Sequence, residues 1–576
     1  MSPDDLFARA ESWARDDPDP ATVAELRGLL ARGAEADLQD AFLGRLQFGT
    51  AGLRGILGPG PNRMNRAVVR QATAGLARYL LRAAEDARTR GVIVGRDARR
   101  MSDVFAEDVA GVLAAHGIPA FVFSEPVPTP VGAFAVLELG AAAGVVVTAS
   151  HNPPEYNGYK VYWGNGAQII PPHDQGIAAE IEASGPAREV PLLAPDEARR
   201  RGLWREIGGE VGRAYLDAIL RLRRYQGPVG GLGVVTTALH GVGARWLRQA
   251  LAEAGFTKVH EVAEQRDPDG RFPTVRFPNP EEPGALDLAF ALAEKTRADI
   301  VLANDPDADR LAVAARDATG ILRAFGGNEI GVLLGHYLLT RTTPRSARPL
   351  LVATIVSSAQ LGVIARDLGA RYEETLTGFK WIANRALEVE GGEGATFVFG
   401  YEEALGYAAG TAVRDKDGIS AGLVFADLAA WCASRGITAW GYLEEIQRRH
   451  GLYLAGQRSF TFPGAEGPLI IRRIMDGFRA SRPTAIGGLA VETVKDYQRG
   501  VAGLPSSNVI AYALIGGSRV TLRPSGTEPK IKYYFELREE AGAGETVAAA
   551  AARGRARVDR LAEDFLGLAR ERGQPA

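Results

Sequence analysis

Short apolar runs, each ended abruptly by proline, glycine or carboxylate residues, recur along the chain and set its predicted elements. Gly144–Val147 reads as a buried strand that stops ahead of Thr148. Ile300–Ala303 reads as a second, ending in Asp305, and Phe397–Phe399 as a third. Helix-like stretches such as residues 212–225 alternate with these strands. The strand-then-helix rhythm predicts α/β sheets whose ligands sit at the carboxyl ends of strands. The pattern changes after residue 456. Residues 518–522 and 530–537 alternate apolar and polar positions around a proline- and glycine-containing turn, which predicts an antiparallel hairpin, and residues 544–572 read as a terminal helix. The first 45 residues read as two or three short helices. Fresh strand starts and a basic, proline-containing stretch place breaks that give four segments, 1–226, 227–343, 344–456 and 457–576. A chain of 576 residues is too long for one core and suits about three to five domains at roughly 100–200 residues each.

Charge and composition narrow the function classes. With 67 basic against 69 acidic residues the net charge is −2, so no general attraction to nucleic acid is expected. No apolar stretch is long enough to cross a membrane, and the acidic, amphipathic start MSPDDLFARAESW is unlike a signal peptide. The single cysteine, Cys432, excludes an internal disulfide framework and reads as a small buried residue. Both features predict a cytoplasmic protein without a membrane partner.

Candidate chemistry lies where the apolar runs end. In TASHNPPEYNGYK (148–160) the prolines Pro153 and Pro154 and the pair Asn157–Gly158 predict a tight, exposed loop that presents the Ser150 hydroxyl to a cleft. Alone, Ser150 and His151 read first as turn caps; no GxSxG elbow surrounds the serine. In NDPDADR, Asp305, Asp307 and Asp309 crowd one turn, followed by Arg310. Such carboxylates repel unless a cation sits among them, and hard oxygen ligands suit Mg²⁺ or Ca²⁺ better than zinc; a solvated acidic turn is the alternative. In RPSGTEP, Arg523, Ser525, Gly526 and Thr527 offer a guanidinium fork, two hydroxyls and backbone amides at a hairpin tip, either a phosphate cradle or an ordinary loop. FGYEEALGY adds Glu402 and Glu403, suited to sugar hydroxyls. Lys416 lies further on in VRDKDG, and Gly378 and Lys380 lie in TLTGFKWI.

In this order the serine loop, DPDADR, GYEE and RPSGT resemble the α-D-phosphohexomutase superfamily, in particular the phosphoglucomutase/phosphomannomutase family and its branch that includes phosphopentomutases. FGTAGLRG (48–55), GRDARRMS (95–102), PVPTPV (126–131), FPNPEEPGAL (277–286) and GGNEIG (326–331) extend the match over nearly the whole chain. The resemblance implies a four-domain architecture, three similar mixed α/β sheet domains plus a smaller α+β C-terminal domain around a central cleft. It implies that Ser150 is a phosphoserine and that one Mg²⁺ binds to Asp305, Asp307, Asp309 and a phosphoserine oxygen. Lys160 and Arg54 match residues near the reacting hydroxyl, either of which would assist proton transfer, and His151 joins them in the catalytic set. Arg310 would steady the phosphoryl group. Glu402 would bind sugar hydroxyls, and Arg523, Ser525, Gly526 and Thr527 the phosphate that is not reacting. Gly378, Lys380 and Lys416 would line the substrate site.

The implied reaction interconverts glucose 1-phosphate and glucose 6-phosphate through glucose 1,6-bisphosphate, with phosphomannomutase or phosphopentomutase activity as the alternative. A metal-dependent sugar-phosphate phosphatase is a remoter reading. The partner is a small sugar phosphate, and the chain is expected as a monomer or homodimer. One position departs from the family. Many members carry a serine two residues after the first glutamate, where this chain has Ala404, so one hydroxyl contact to the sugar is missing. Such a loss weakens sugar discrimination by about 1 kcal/mol.

Overall fold

The computed structural model describes residues 3–50, 52–342, 348–463, 466–501, 503–525 and 529–573. They divide into two compact units. The first comprises Met1–Phe325, Phe379–Leu387 and Leu405–Gly436, the second Gly326–Gly378, Glu388–Ala404 and Ile437–Ala576.

The first unit carries two mixed sheets. One is built from β1 (Leu53–Ile56), β2 (Val92–Arg96), β3 (Ala120–Phe123), β4 (Ala143–Val147), β5 (Tyr156–Trp163) and β6 (Trp204–Ile207), in the order β1-β5-β4-β2-β3-β6. Its central strands β2, β3 and β4 run parallel, and every residue of β4 is buried. Helices covering a parallel sheet account for that continuous apolar run. Helices Arg66–Ala83 and Ser102–Ala115 supply Val69, Leu76, Leu80, Phe105, Val109 and Leu113 to the same core as Val92, Val145 and Val147. β4 therefore delivers Thr148–Ser150 from the interior.

β5 begins at Tyr156, so Asn157 and Gly158, read from the sequence as chain breakers, lie inside a strand. Their roles there are specific. Asn157 Nδ2 donates to Arg100 O at 2.9 Å and Ser102 Oγ at 3.0 Å. Gly158 stands opposite Arg54, and a Cβ on it would lie 2.5 Å from Thr148 O and 2.8 Å from Leu53 O. Gly158→Ala is accordingly expected to cost about 1–3 kcal/mol, the range for forced overpacking, read as a lowered urea midpoint. An unchanged midpoint would show that these strands separate without penalty.

The second sheet holds β7 (Gly233–Thr237), β8 (Lys258–Glu261), β9 (Ile300–Asn304), β10 (Leu311–Arg316) and β11 (Leu322–Ala324), in the order β11-β10-β9-β7-β8. β9, fully buried, runs parallel to β7 and antiparallel to β10, and Asp305 comes directly after its last residue. At the N-terminus three helices, Pro3–Asp16, Pro20–Ala31 and Glu35–Phe42, enclose a small cluster of Leu6, Ala10, Leu26, Leu38 and Phe42. Trp13 packs against both this cluster and the main core. Cys432 is buried on helix Gly418–Ser434.

In the second unit β12 (Pro349–Thr354) runs parallel to both β13 (Arg371–Thr375) and β14 (Thr396–Glu402). The short strand β15 (Gly406–Ala409) belongs to the first unit. The C-terminal sheet is antiparallel, with β16 (Leu452–Thr461), β17 (Ala485–Ile486), β18 (Leu489–Asp496), β19 (Ile510–Leu514), β20 (Ser518–Pro524) and β21 (Lys530–Glu539) in the order β16-β21-β20-β19-β18-β17. Helices Gly467–Ala480 and Val547–Gly573 pack on it through Phe478 and Phe565, stacked at 4.7 Å between ring centres. β16 pairs with β21 from Leu452 to Thr461, so the break expected after residue 456 falls inside a strand. Ten residues of continuous backbone pairing carry the strand through that boundary. Among the described residues, no helix is long and apolar enough to cross a membrane.

Candidate active site

Ser150 sits three residues beyond β4 and is 3 % exposed, not on the exposed loop its proline-rich surroundings predict. The reason is a set of polar partners that draw the loop inward. Its Oγ donates to Asp305 Oδ2 at 2.7 Å and lies 3.2 Å from His151 Nδ1, while its N–H donates to Thr148 Oγ1 at 2.8 Å. The backbone at Ser150 is left-handed, φ +52°. Non-glycine residues persist there only where the surroundings over-determine them, commonly at functional sites. Desolvation, reinforced by the charges of Arg310 and Arg54, holds the His151 imidazole well below its ordinary pKa of 6.5, so it is neutral at pH 7. Arg54, on β1, donates from Nη1 to Asn152 Oδ1 at 3.0 Å.

Asp305, Asp307 and Asp309 leave the end of β9 with one carboxylate oxygen from each within 4.8 Å of the others. Ala308 between them is also left-handed, φ +56°. Asp305 is engaged at both oxygens, Oδ2 by Ser150 and Oδ1 by the Arg310 N–H at 2.9 Å. Lys160 Nζ, 5 % exposed on β5, donates to Oδ2 of Asp307 at 2.7 Å and of Asp309 at 2.8 Å. Thr129 Oγ1 adds a further donor to Asp307 Oδ2 at 2.6 Å. Lys416 Nζ lies 3.3 Å from Asp309 Oδ2.

The remaining oxygens, Asp307 Oδ1 and Asp309 Oδ1, are buried without a hydrogen-bond partner. Buried carboxylate oxygens are costly when unpaired, and an all-oxygen set beside a serine hydroxyl matches the needs of a hard divalent cation. Without a cation, burial and the neighbouring charges of Asp307 and Asp309 push the Asp305 pKa well above the carboxylate range. Burial also opposes charge on Lys160, but Asp307 and Asp309 outweigh it and hold the ammonium above its ordinary value.

Of the other residues expected in the site, Lys380 hydrogen-bonds Thr50 Oγ1, and the Arg310 guanidinium reaches Glu281 at 3.3 Å. The rest lie in the second unit. Glu402 ends β14 and is 8 % exposed. Glu403 Oε2 accepts from Ser357 Oγ at 3.1 Å and Thr354 Oγ1 at 3.3 Å. The Ser357 carbonyl in turn accepts from Arg519, which pairs with Glu536 at 3.3 Å and Glu374 at 3.4 Å. Arg523, near the end of β20, donates to the Tyr534 hydroxyl at 3.5 Å. Burial, with the charges of Glu403 and Glu402 adding to it, pushes that phenol up to about 12. The Ser525 N–H donates to Lys530 O at 2.7 Å, closing the hairpin neck; Gly526 and Thr527 lie outside the described residues. Gly378 caps helix Phe379–Glu393 with φ +114°, a conformation that favours glycine.

Two supporting residues escape sequence reasoning. Thr129, in PVPTPV, and Arg99, in GRDARRMS, fall in segments whose match carried no assigned role. Arg99 donates to four backbone carbonyls of the serine loop.

Four family profiles match in sequence: phosphoglucomutase/phosphomannomutase alpha/beta/alpha domain I over residues 45–188, domain II over 213–320, domain III over 326–447 and the C-terminal domain over 480–553. The chain belongs to the phosphoglucomutase/phosphomannomutase family. Its α/β domains and C-terminal domain are those of this family, and its relatives include mutases, which are isomerases. It is 39% identical to a human phosphopentomutase over 92% of this chain and 91% of that protein. It is 37% identical to a mouse glucose 1,6-bisphosphate synthase over 93% of this chain and 90% of the relative. A solved phosphoglucomutase/phosphomannomutase family protein from Burkholderia thailandensis shares the fold at TM-score 0.67 and 21% identity, covering 91% of this chain and 97% of the other.

Proposed function

We propose that this family member moves a phosphoryl group between C1 and the terminal hydroxyl of a sugar phosphate through a phosphoserine at Ser150, acting as a phosphoglucomutase on glucose 1-phosphate and glucose 6-phosphate. The observation that carries this reading is the Ser150 hydroxyl, 2.7 Å from Asp305 and beside two carboxylate oxygens that lack donors. Phosphoryl transfer asks a protein mainly for positioning and charge neutralisation, and this arrangement supplies both. Asp305, Asp307 and Asp309 would hold one Mg²⁺, which when bound neutralises charge on the transferring group. Lys160, kept charged between two carboxylates, fixes their Oδ2 atoms; the neutral His151 lies with Nδ1 within hydrogen-bond reach of Ser150 Oγ at 3.2 Å and would join the catalytic set there. Arg54 would assist at the reacting hydroxyl and Arg310 would steady the phosphoryl group.

Glu402 would bind sugar hydroxyls, Arg523 with Ser525, Gly526 and Thr527 the distal phosphate, and Gly378, Lys380 and Lys416 the rest of the substrate. Glucose 1,6-bisphosphate would be both intermediate and activator. The working form would be a cytoplasmic monomer or homodimer.

The similarity to phosphopentomutases favours a second reading of the same site, conversion of ribose 1-phosphate to ribose 5-phosphate, and Ala404 in place of a hydroxyl donor is consistent with a permissive sugar loop. The test is kcat/KM for glucose 1-phosphate, mannose 1-phosphate and ribose 1-phosphate with Mg²⁺ and the matching bisphosphate, together with release of inorganic phosphate. A glucose preference supports phosphoglucomutase. A ribose preference of about tenfold or more, about 1.4 kcal/mol in transition-state binding, replaces it with phosphopentomutase. Stoichiometric phosphate release without isomerisation would mean a phosphatase.

A further inference from the structure

We propose that Arg99 is a positioning residue for the transfer, holding Ser150 in its left-handed backbone conformation by gripping the loop from behind. The inference rests on Ser150 being the phosphoryl carrier. Arg99 is 4 % exposed. Its Nη2 donates to Ser150 O at 2.5 Å and to Asn152 O; its Nη1 donates to Pro153 O at 2.8 Å and Tyr156 O at 3.2 Å. Asp97 fixes the arginine in turn, accepting its backbone N–H at 2.9 Å and lying 3.4 Å from its Nε. The Phe272 ring covers the guanidinium at 4.9 Å.

The chemistry of this loop calls for such a group. Pro153 and Pro154 contribute no N–H, so the turn is rich in acceptors and poor in donors of its own. A buried carbonyl left without a donor is costly; the buried Ser150 carbonyl and the partly buried carbonyls of Asn152, Pro153 and Tyr156 converge on one side chain, Pro153 O accepting the Tyr156 N–H as well. The planar guanidinium presents its donors in a rigid fork that spans several acceptors, whereas a lysine ammonium concentrates three donors at a point. Arg99 grips the Ser150 carbonyl and not its hydroxyl, so its effect on the reaction is transmitted through the backbone. Releasing the grip lets the strained φ of Ser150 relax and carries Oγ away from its place beside Asp305. Misplacement of a reacting atom by about 1 Å is worth about 100-fold in rate.

The experiment compares Arg99→Lys and Arg99→Ala with the wild type and with Ser150→Ala, using the sugar 1-phosphate that the wild type turns over fastest. The expected result for Arg99→Lys is a kcat lower by about 100-fold with KM changed less than about threefold, in protein whose circular dichroism matches wild type. Guanidinium ion added to Arg99→Ala is expected to restore part of the lost activity, a rescue that general loss of folding would not give. Retention of full kcat by Arg99→Lys, or a fall no larger than its loss of folded protein, overturns the proposal. So does the absence of rescue in folded Arg99→Ala. If Arg99→Ala does not fold, Arg99→Lys alone decides. Should Ser150→Ala retain activity, the phosphoserine reading fails whatever Arg99 does; an inactive Ser150→Ala beside a fully active Arg99→Lys removes only the positioning role.

Discussion

Ser150→Ala is expected to lower kcat by about 10⁴-fold or more, because removal of a nucleophile eliminates the route and not merely a contact. Wild-type protein incubated with glucose 1,6-bisphosphate should gain the mass of one phosphoryl group at the peptide containing residue 150, and the variant none. Stability should change little. Asp305 loses the Ser150 donor but keeps the Arg310 N–H at 2.9 Å, and a single hydrogen bond is worth about 1 kcal/mol. Activity and stability therefore separate, which distinguishes loss of chemistry from loss of fold. Wild-type kcat in the variant, or phosphate located on another residue, would end the phosphoserine mechanism.

Lys160→Met should damage both properties at once. Its ammonium is the shared counter-charge of Asp307 and Asp309, at 2.7 and 2.8 Å, and all three groups are buried. Asp307 then keeps the Thr129 hydroxyl and Asp309 the Lys416 ammonium at 3.3 Å, so losing the shared counter-charge costs about 3 kcal/mol, the lower end for breaking a buried pair, and loss of an acid–base or charge-positioning group from the reacting centre costs about 10²–10⁴ in kcat. Part of the stability is recoverable. A divalent cation neutralises the same carboxylates, so adding Mg²⁺ after chelation should raise Tm more in the variant than in the wild type. The pH dependence carries a definite sign. Because the folded Lys160 pKa is raised, its stabilisation is present below the unfolded value and is lost as pH rises through the folded one, a loss that the methionine variant lacks. A chelated variant as stable as wild type would show that the carboxylates take up protons instead.

Much of this site is legible in the chain because its chemistry sits at the ends of apolar runs. Gly144–Val147 and Ile300–Ala303 announce buried strands, and the candidate residues just past them, Ser150 and Asp305, must emerge at the carboxyl ends of those strands. Burial of the serine is not legible, since it depends on Arg99 and on Asp305, 155 residues away. Composition marks a loop but not the groups that lie over it. The same holds for Thr129, whose bond to Asp307 spans 178 residues and leaves no local pattern. Asn157 and Gly158 mislead for a related reason. Their turn preference is overridden by neighbours that need an amide at one position and no side chain at the next. Which sugar is preferred depends on small differences in contact energy that motifs do not encode.

The fully buried strands β4 and β9 also carry a thermal consequence. Both strands lie in the central parts of their sheets, and the nearest reactive residues, Ser150 and Asp305, are within three positions of their ends. Central strands are the last segments of a protein to exchange their amides, opening only in global unfolding. The strand ends that lead to Ser150 and Asp305 are thus expected to hold in place on heating until the first unit itself comes apart.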